Sequence, residues 1–289
     1  RTDGGAIVRT GASPYGQGHD TTWAMIVTSR LGIPMDRIEI HHGDTDEIAE
    51  GNITGGSRSA QVVGSSVHDA AGGLLDAARH RAADLLEAAA EDLVLEHREG
   101  GVFHVAGTPA RPVGWADIAA AADEPLTAGT DFVQGGSTFP FVAHEAVVVL
   151  DTETGAVRLR RHVAVDDAGT IINPLAADGQ VHGGLAQGAA QALLESVEYD
   201  DDGNPLTTNF ADYAIISATE LPLFDRVVME TPTPLNPLGA KGIGESATVG
   251  STPAVHNAVC DALSARGVRH LDMPCTPQRV WQALRATPA

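Results

Sequence analysis

Glu245 is the only acidic residue in "LGAKGIGESATVGS" (238–251), where glycines lead into a helix start. Backbone N–H groups point outward at such a helix start, so an acidic side chain there raises the question of its use. Three further Gly-rich segments run into helices: "GQGHDTT" (16–22), "GGSRSAQ" (55–61) and "GQVHGG" (179–184). A helix N-terminus presents unpaired N–H groups and a positive dipole end, and glycine opens the backbone to an anion. Two of the loops carry Gln amides, Gln17 and Gln180, and one carries Arg58. Together they suit a large polar ligand with phosphates. Taken singly, each residue also has an ordinary use. Glu245 can be a helix-terminal charge, Arg58 the partner of a surface carboxylate, and the glutamines loop-satisfying amides.

Other chemistries lack their residues. No serine lies in GxSxG, and there is no HExxH, no GxxxxGK[ST] and no strand-to-helix GxGxxG. His41 and His42 are adjacent on a predicted strand and must face opposite ways, so they cannot share a metal. Cys260 and Cys275 fit no CxxC or Cys/His ligand spacing, so no metal-ligating set is expected. Two isolated cysteines instead suggest buried thiols in a reducing compartment, which makes the cytoplasm the expected location.

The elements that must position these loops follow from the hydrophobic pattern. Residues 5–11 read as a strand, "TTWAMIVTSRLG" as a helix ended by Gly32 and Pro34, and 36–44 as a second strand. An Ala-rich helix spans about 57–90 with a pause at 71–73. A hairpin turns at Gly100 and Gly101, and "GWADIAAAA" is a short helix. Residues 123–142 are turn-rich and mark a lobe boundary, giving a first lobe over 1–125 and a second over 126–289. The second opens with two long strands around "DTETG" and continues with a helix capped by Asn173 and Pro174. "SVEYDDDGNPLT" reads as strand and turn and "RVVMETPTP" as a strand. A helix capped by Ser251 or Thr252 and a last helix close the chain. Asp166 and Asp167 are placed at a strand end, satisfying turn amides. The order is α+β, with mixed sheets.

Composition sets bounds on partners. The 289 residues are 43% hydrophobic, which is ample for one large domain or two lobes. The net charge of −20, from 18 Lys+Arg against 38 Asp+Glu, argues against a nucleic acid or an anionic membrane. The opening "RTDGGAIVRTG" already reads as a strand, so an excised piece or a short subunit of something longer is expected.

The sequence resembles the C-terminal portion of the molybdenum-binding large subunit of the xanthine dehydrogenase, aldehyde oxidase and carbon monoxide dehydrogenase family of molybdenum hydroxylases. The resemblance rests on "TGASPYGQGHDTT", "HGDTDEIAEGNITGGSRSAQVVGSSV", "VDDAGTIINPLAADGQVHGGLAQGAAQALLE", "TNFADYAI", "GAKGIGESATVGSTPAVHNAV" and "DMPCTPQRVWQAL". It covers nearly the whole chain in order, and it implies a two-lobed molybdopterin-binding domain. It implies that Gln17, Gly18, His19 and Thr21 line molybdopterin cytosine dinucleotide. Gly56, Ser57, Arg58 and Ser59 would meet its pyrophosphate or nucleotide, and Gln180 and Gln187 the pterin or nucleotide end. Gly242 and Gly244 would bind the cofactor and flank Glu245, which takes the place of the family's catalytic base. That base deprotonates a water-derived oxygen as it attacks an electron-poor carbon of an aldehyde, N-heterocycle or related substrate. Electrons would leave through a 2Fe-2S small subunit and an FAD-binding medium subunit. The family's upstream segment carries the substrate-selecting loop, which in carbon monoxide dehydrogenases holds a copper-binding cysteine, and it lies outside this sequence. Two alternatives therefore accompany the hydroxylase reading: a carbon monoxide dehydrogenase fragment, and a cofactor-binding or structural piece inactive alone.

Overall fold

The structure is a computed structural model and describes residues 1–51 and 53–286. The chain falls into two compact units that alternate along the sequence. Unit 1 comprises Arg1–Thr138, Gly169–Ala176 and Pro232–Gly242, and unit 2 comprises Phe139–Ala168, Ala177–Thr231 and Ile243–Ala289.

Unit 1 begins with β1 (Ala6–Thr10), α1 (His19–Leu31) and β2 (Ile38–His42), with β1 and β2 paired in parallel from Ala6↔Ile38 to Thr10↔His42. α1 stops at Gly32, whose φ of 70° lets its N–H close on the Thr28 carbonyl. α2 (Ser59–Leu86) runs through residues 71–73 without the expected pause. The glycines there leave room for a neighbour, since a Cβ at Gly72 would lie 3.0 Å from Arg30 Nη2 of α1. β3 (Leu93–Glu96), β4 (Val102–Val105) and β5 (Thr108–Gly114) form an antiparallel sheet, followed by α3 (Trp115–Ala120). The hairpin at Gly100 and Gly101 is as expected, whereas β5 was not foreseen. It holds Pro109 and Pro112, which are tolerated because β5 is an edge strand. The core gathers Trp23, Ile26, Leu31, Phe103 and Ile118 around the alanines of α2.

Unit 2 is built on β6 (Phe141–Leu150) and β7 (Val157–Asp167), antiparallel over their full length, with β8 (Asp225–Met229) added parallel to β7. The sheet is thus mixed. α4 (Pro174–Leu193), α5 (Ser246–Ser264) and α6 (Pro277–Ala286) complete the elements. Asn173 caps α4 as expected, its side chain accepting the Ala176 N–H at 3.1 Å. The segment 196–207 keeps its expected turn but forms only an isolated bridge, Tyr199↔Pro205, in place of the strand, because Asp200 draws the chain round by accepting the N–H groups of Asp202 and Asn204. α5 starts five residues before the expected cap and contains Pro253 in its interior. Packing supplies the reason. A Cβ at Gly184 would come within 2.7 Å of Ala247 Cβ, and one at Gly188 within 2.5 Å of Ser251 Cβ. The first two turns of α5 are thus held against α4 at minimal separation, and that contact outweighs the lost hydrogen bond at the proline. Asp167 accepts the Thr231 N–H at 3.1 Å, as expected for a turn-satisfying acid. Asp166 differs: it is buried in a two-oxygen ion pair with Arg226, at 3.0 and 2.8 Å.

Candidate functional site

In unit 1 the sequence-predicted loops are drawn together by close backbone contacts. Gly11 and Gly51 cross so tightly that a Cβ on Gly51 would lie 2.1 Å from the Gly11 carbonyl oxygen. The Thr54 hydroxyl donates to the Ser13 carbonyl at 2.7 Å, and a Cβ on Gly43 would strike Ser13 Oγ at 2.7 Å. These contacts fix residues 43–51 and 53–58 beside the loop that leads to Gln17 and Gly18. Gly242 joins the same region: a Cβ there would lie 2.5 Å from the Ser57 carbonyl oxygen. Gly18 lies near the start of α4, with a notional Cβ 3.4 Å from Ala176.

Within this cradle the glycines leave space. Side-chain carbons added at Gly16, Gly55 or Gly56 would meet nothing within 4 Å. Gly18 (φ 79°) is the cap of α1, and Ser57 is held at φ 53°, a conformation that costs a non-glycine residue energy. Arg58 is exposed at the N-cap of α2, and the first turn of that helix has no acidic residue. The first turn of α1 does carry one, Asp20, which lies 3.4 Å from His42 Nε2. The α2 terminus is therefore the better place for a phosphate. Ser59 opens α2, and Gln61 Nε2 donates to the Ser57 carbonyl at 3.1 Å, which braces the loop.

Gln17 Nε2 lies 3.2 Å from His19 Nε2, while His19 stacks on Trp23 with ring centroids 4.9 Å apart. His19 is buried and its Nδ1 has no hydrogen-bond partner. Burial disfavours its charged form, so desolvation lowers its pKa below 6.5 and the ring is neutral at pH 7. Thr21 is exposed on the first turn of α1. An acid-free helix start next to an arginine, beside glycines that leave the backbone open, suits an anion.

Unit 2 holds the remaining predicted residues. Glu245 is exposed at the N-cap position of α5 with φ −117°, and its carboxylate does not cap the helix. Gly244 precedes it. The helix start is anchored by Ala247, which is 1% exposed, and by Ser251, whose hydroxyl donates to the Leu185 carbonyl at 2.9 Å. Thr248, one turn after Glu245, donates towards Gln187 Oε1 (3.0 Å) and the Gly184 carbonyl (3.2 Å). Gln187 is thereby placed beside the α5 start, on the exposed side of α4. Gln180 is half-buried on α4, and a Cβ at Gly179 or Gly183 would meet nothing within 4 Å. Sequence reasoning overlooked the glycine–alanine–serine seam that fixes Glu245. Its signal was Gly184 and Gly188 at i, i+4 facing Ala247 and Ser251 at the same spacing.

Comparisons with known proteins place the chain in a family. Residues 1–222 match the family of the molybdopterin cofactor-binding domain. The carbon monoxide dehydrogenase large chain of Hydrogenophaga pseudoflava is 40% identical over 290 residues, covering 98% of this chain and 36% of that one. The nicotine 6-hydroxylase large subunit of Paenarthrobacter nicotinovorans is 36% identical over 293 residues, with 98% and 36% covered. A solved Cu,Mo-carbon monoxide dehydrogenase superposes with a TM-score of 0.91 at 36% identity, over 99% of this chain and 37% of that one. The chain thus spans little more than a third of the length of these relatives. Through its molybdopterin cofactor-binding domain, the chain belongs to the xanthine dehydrogenase and carbon monoxide dehydrogenase family of molybdenum hydroxylases.

Proposed function

We propose that this chain is the part of a molybdenum hydroxylase that holds molybdopterin cytosine dinucleotide and supplies Glu245 as the catalytic base. When bound, the molybdenum centre supplies the two-electron redox chemistry. The chain's own residues bind, orient and move a proton. The N–H groups at the start of α2, with Ser57, Arg58 and Ser59, take the pyrophosphate. Gly56 and Gly18 give the backbone access, and Gln17, His19 and Thr21 hydrogen-bond the cofactor along α1. Gln180 and Gln187 contact its other parts from α4. The Glu245 carboxylate accepts the proton of a water-derived nucleophile. Gly242 lets the Ser57 loop pack closely, Gly244 precedes the carboxylate, and α5 keeps it in place.

The observation that carries this reading is the position of Glu245: an exposed carboxylate on a helix start clamped to α4 without clearance. An upstream molybdopterin-binding segment, a 2Fe-2S subunit and an FAD subunit are the proposed partners, and an aldehyde or N-heterocycle is the proposed substrate class. In the assembled enzyme, Glu245→Gln should retain molybdenum and cytosine nucleotide and lose turnover by at least ~100-fold. Turnover near wild type in a metal-replete Gln variant would remove Glu245 from the mechanism.

A second reading, carbon monoxide as substrate, is favoured by the 40% identity to the Hydrogenophaga chain against 36% to the nicotine hydroxylase. Assays of the same assembly with carbon monoxide, aldehydes and N-heterocycles, with copper analysis, separate the two.

A further inference from the structure

Among the described residues, one cluster of three potential metal ligands has no place in the proposed reaction. His256 and Cys260 lie at i, i+4 on one face of α5, and His270 lies on the loop after it. The three residues present ligand atoms that all lie within 4.8 Å of one another. None is fully buried, and His270 is exposed. His256 Nε2 and Cys260 Sγ are 3.6 Å apart, and the His256 and His270 rings meet edge to face with centroids 5.7 Å apart.

The geometry points to a second metal site here, a zinc site whose protein donors are the imidazoles of His256 and His270 and the thiolate of Cys260. The Zn–S and Zn–N bond lengths of a tetrahedral site give an S···N edge of about 3.6 Å, and that is the spacing already held by His256 and Cys260. Two nitrogen donors with one sulfur suit borderline-soft zinc over the hard cations magnesium and calcium. His270 Nε2 lies 3.0 Å from Asp272 Oδ1. A carboxylate on one ring nitrogen is the usual support for a histidine that ligates through the other. The loop is set in place on both sides of His270, since Val268 is buried and Leu271 packs on the same core. The exposed His270 side chain is therefore the one that adjusts to close the site.

Binding has a definite chemical balance. The Cys260 thiol gives up its proton. His256 gives up the bond between Nε2 and the Leu271 carbonyl (2.7 Å) and carries its proton on Nδ1. Three protein ligands leave the fourth position to water or an exchangeable donor. Cys275 takes no part: it is 1% exposed, and burial, with Cys260 nearby, pushes its thiol up to about 11.

The test uses the full chain stripped with chelator. Cobalt(II) is titrated in as a spectroscopic probe and then displaced with zinc. The expected result is one equivalent bound, with a near-ultraviolet thiolate-to-cobalt band that zinc abolishes. Cys260→Ser should lose the band, and His256→Ala and His270→Ala should each weaken binding by at least ~10-fold, with Asp272→Asn weakening it by a similar factor. His80→Ala, on exposed α2 surface, should change nothing. Zinc should also protect Cys260 of the unaltered chain from alkylation, a reading that needs no variant. A cobalt complex without a thiolate band, a band that survives in Cys260→Ser, or alkylation indifferent to zinc would overturn the site. Molybdenum and nucleotide content should be the same in Cys260→Ser, so the outcome is independent of the role given to Glu245.

Discussion

The two units each pack one helix pair through glycines, and they do so in opposite ways. In unit 1, α1 meets α2 at Gly64, where a Cβ would lie 3.0 Å from Leu238 Cδ1, 3.1 Å from Trp23 Cζ3 and 3.3 Å from Ile26 Cδ1. Those are the far ends of large side chains. In unit 2, α4 meets α5 at Gly184 and Gly188, where a Cβ would meet Ala247 Cβ, Ser251 Cβ and the backbone nitrogens of Thr248 and Thr252, all at 3.0 Å or less. The first seam is held by buried apolar volume, which can shift. The second is held by backbone proximity, which cannot. The rigid seam is the one that carries Glu245, whose placement the proposed proton transfer would need to within a fraction of an ångström.

If apolar volume holds the unit 1 seam, removing it should give the largest loss. Trp23 is 1% exposed, and Trp23→Ala should cost about 3–5 kcal/mol in urea unfolding. Amide exchange should rise along α1 and α2. A cost below about 1 kcal/mol would mean that the seam does not depend on volume.

Acid should act on unit 2 in particular. His162 is fully buried, its Nε2 3.4 Å from His144 Nδ1, and neither His162 Nδ1 nor His144 Nε2 has a partner. Burial, then His144, lowers the His162 pKa from 6.5 to about 4. Burial lowers His144 too, against the pull of Asp166, itself paired to Arg226. α5 rests on this pair, since a Cβ at Gly250 would lie 2.8 Å from the His144 ring. The folded state holds His162 neutral, and the unfolded chain binds its proton at higher pH. Stability from this group is therefore complete above pH 6.5, is lost as pH falls towards 4, and is constant below that. The loss should reach about 2 kcal/mol by about pH 5, with exchange rising in α4 and α5. His162→Phe should flatten that slope, and an unchanged slope would remove the histidine pair as its cause.

The sequence made the loops and the helix order legible, because each loop pairs glycines with a helix start and each helix has its own period. Glu245 stood out for the same reason. What it concealed were contacts between distant segments. The start of α5 was misplaced because Pro253 is a strong local signal, while the packing that overrides it joins residues some 60 positions apart. Asp166 read as a turn acid because its partner, Arg226, lies 60 positions away. The His256, Cys260 and His270 group fitted no linear ligand pattern, since one member comes from a loop that folds back on the helix. Pro109 and Pro112 masked β5, as only the sheet order reveals that it is an edge.

The sharpest comparison is a single methyl group added to each seam. Gly→Ala within a helix gains about 1 kcal/mol from propensity alone. At Gly64 the methyl meets side-chain ends and no backbone, at 3.0–3.3 Å, so the neighbours give by a few tenths of an ångström. Gly64→Ala should therefore lie within about 0.5 kcal/mol of the unaltered chain, as gain and crowding offset. At Gly188 the methyl would sit 2.5 Å from Ser251 Cβ and 2.8 Å from the Thr252 nitrogen, so α4 and α5 must part. Gly188→Ala should cost about 1–3 kcal/mol despite the same propensity gain. In the assembled enzyme it should also lower kcat while molybdenum content holds, because parting the helices moves Glu245. Equal costs at the two glycines, or a Gly188→Ala enzyme with unchanged kcat, would show that the α4–α5 clearance does not set the position of the carboxylate.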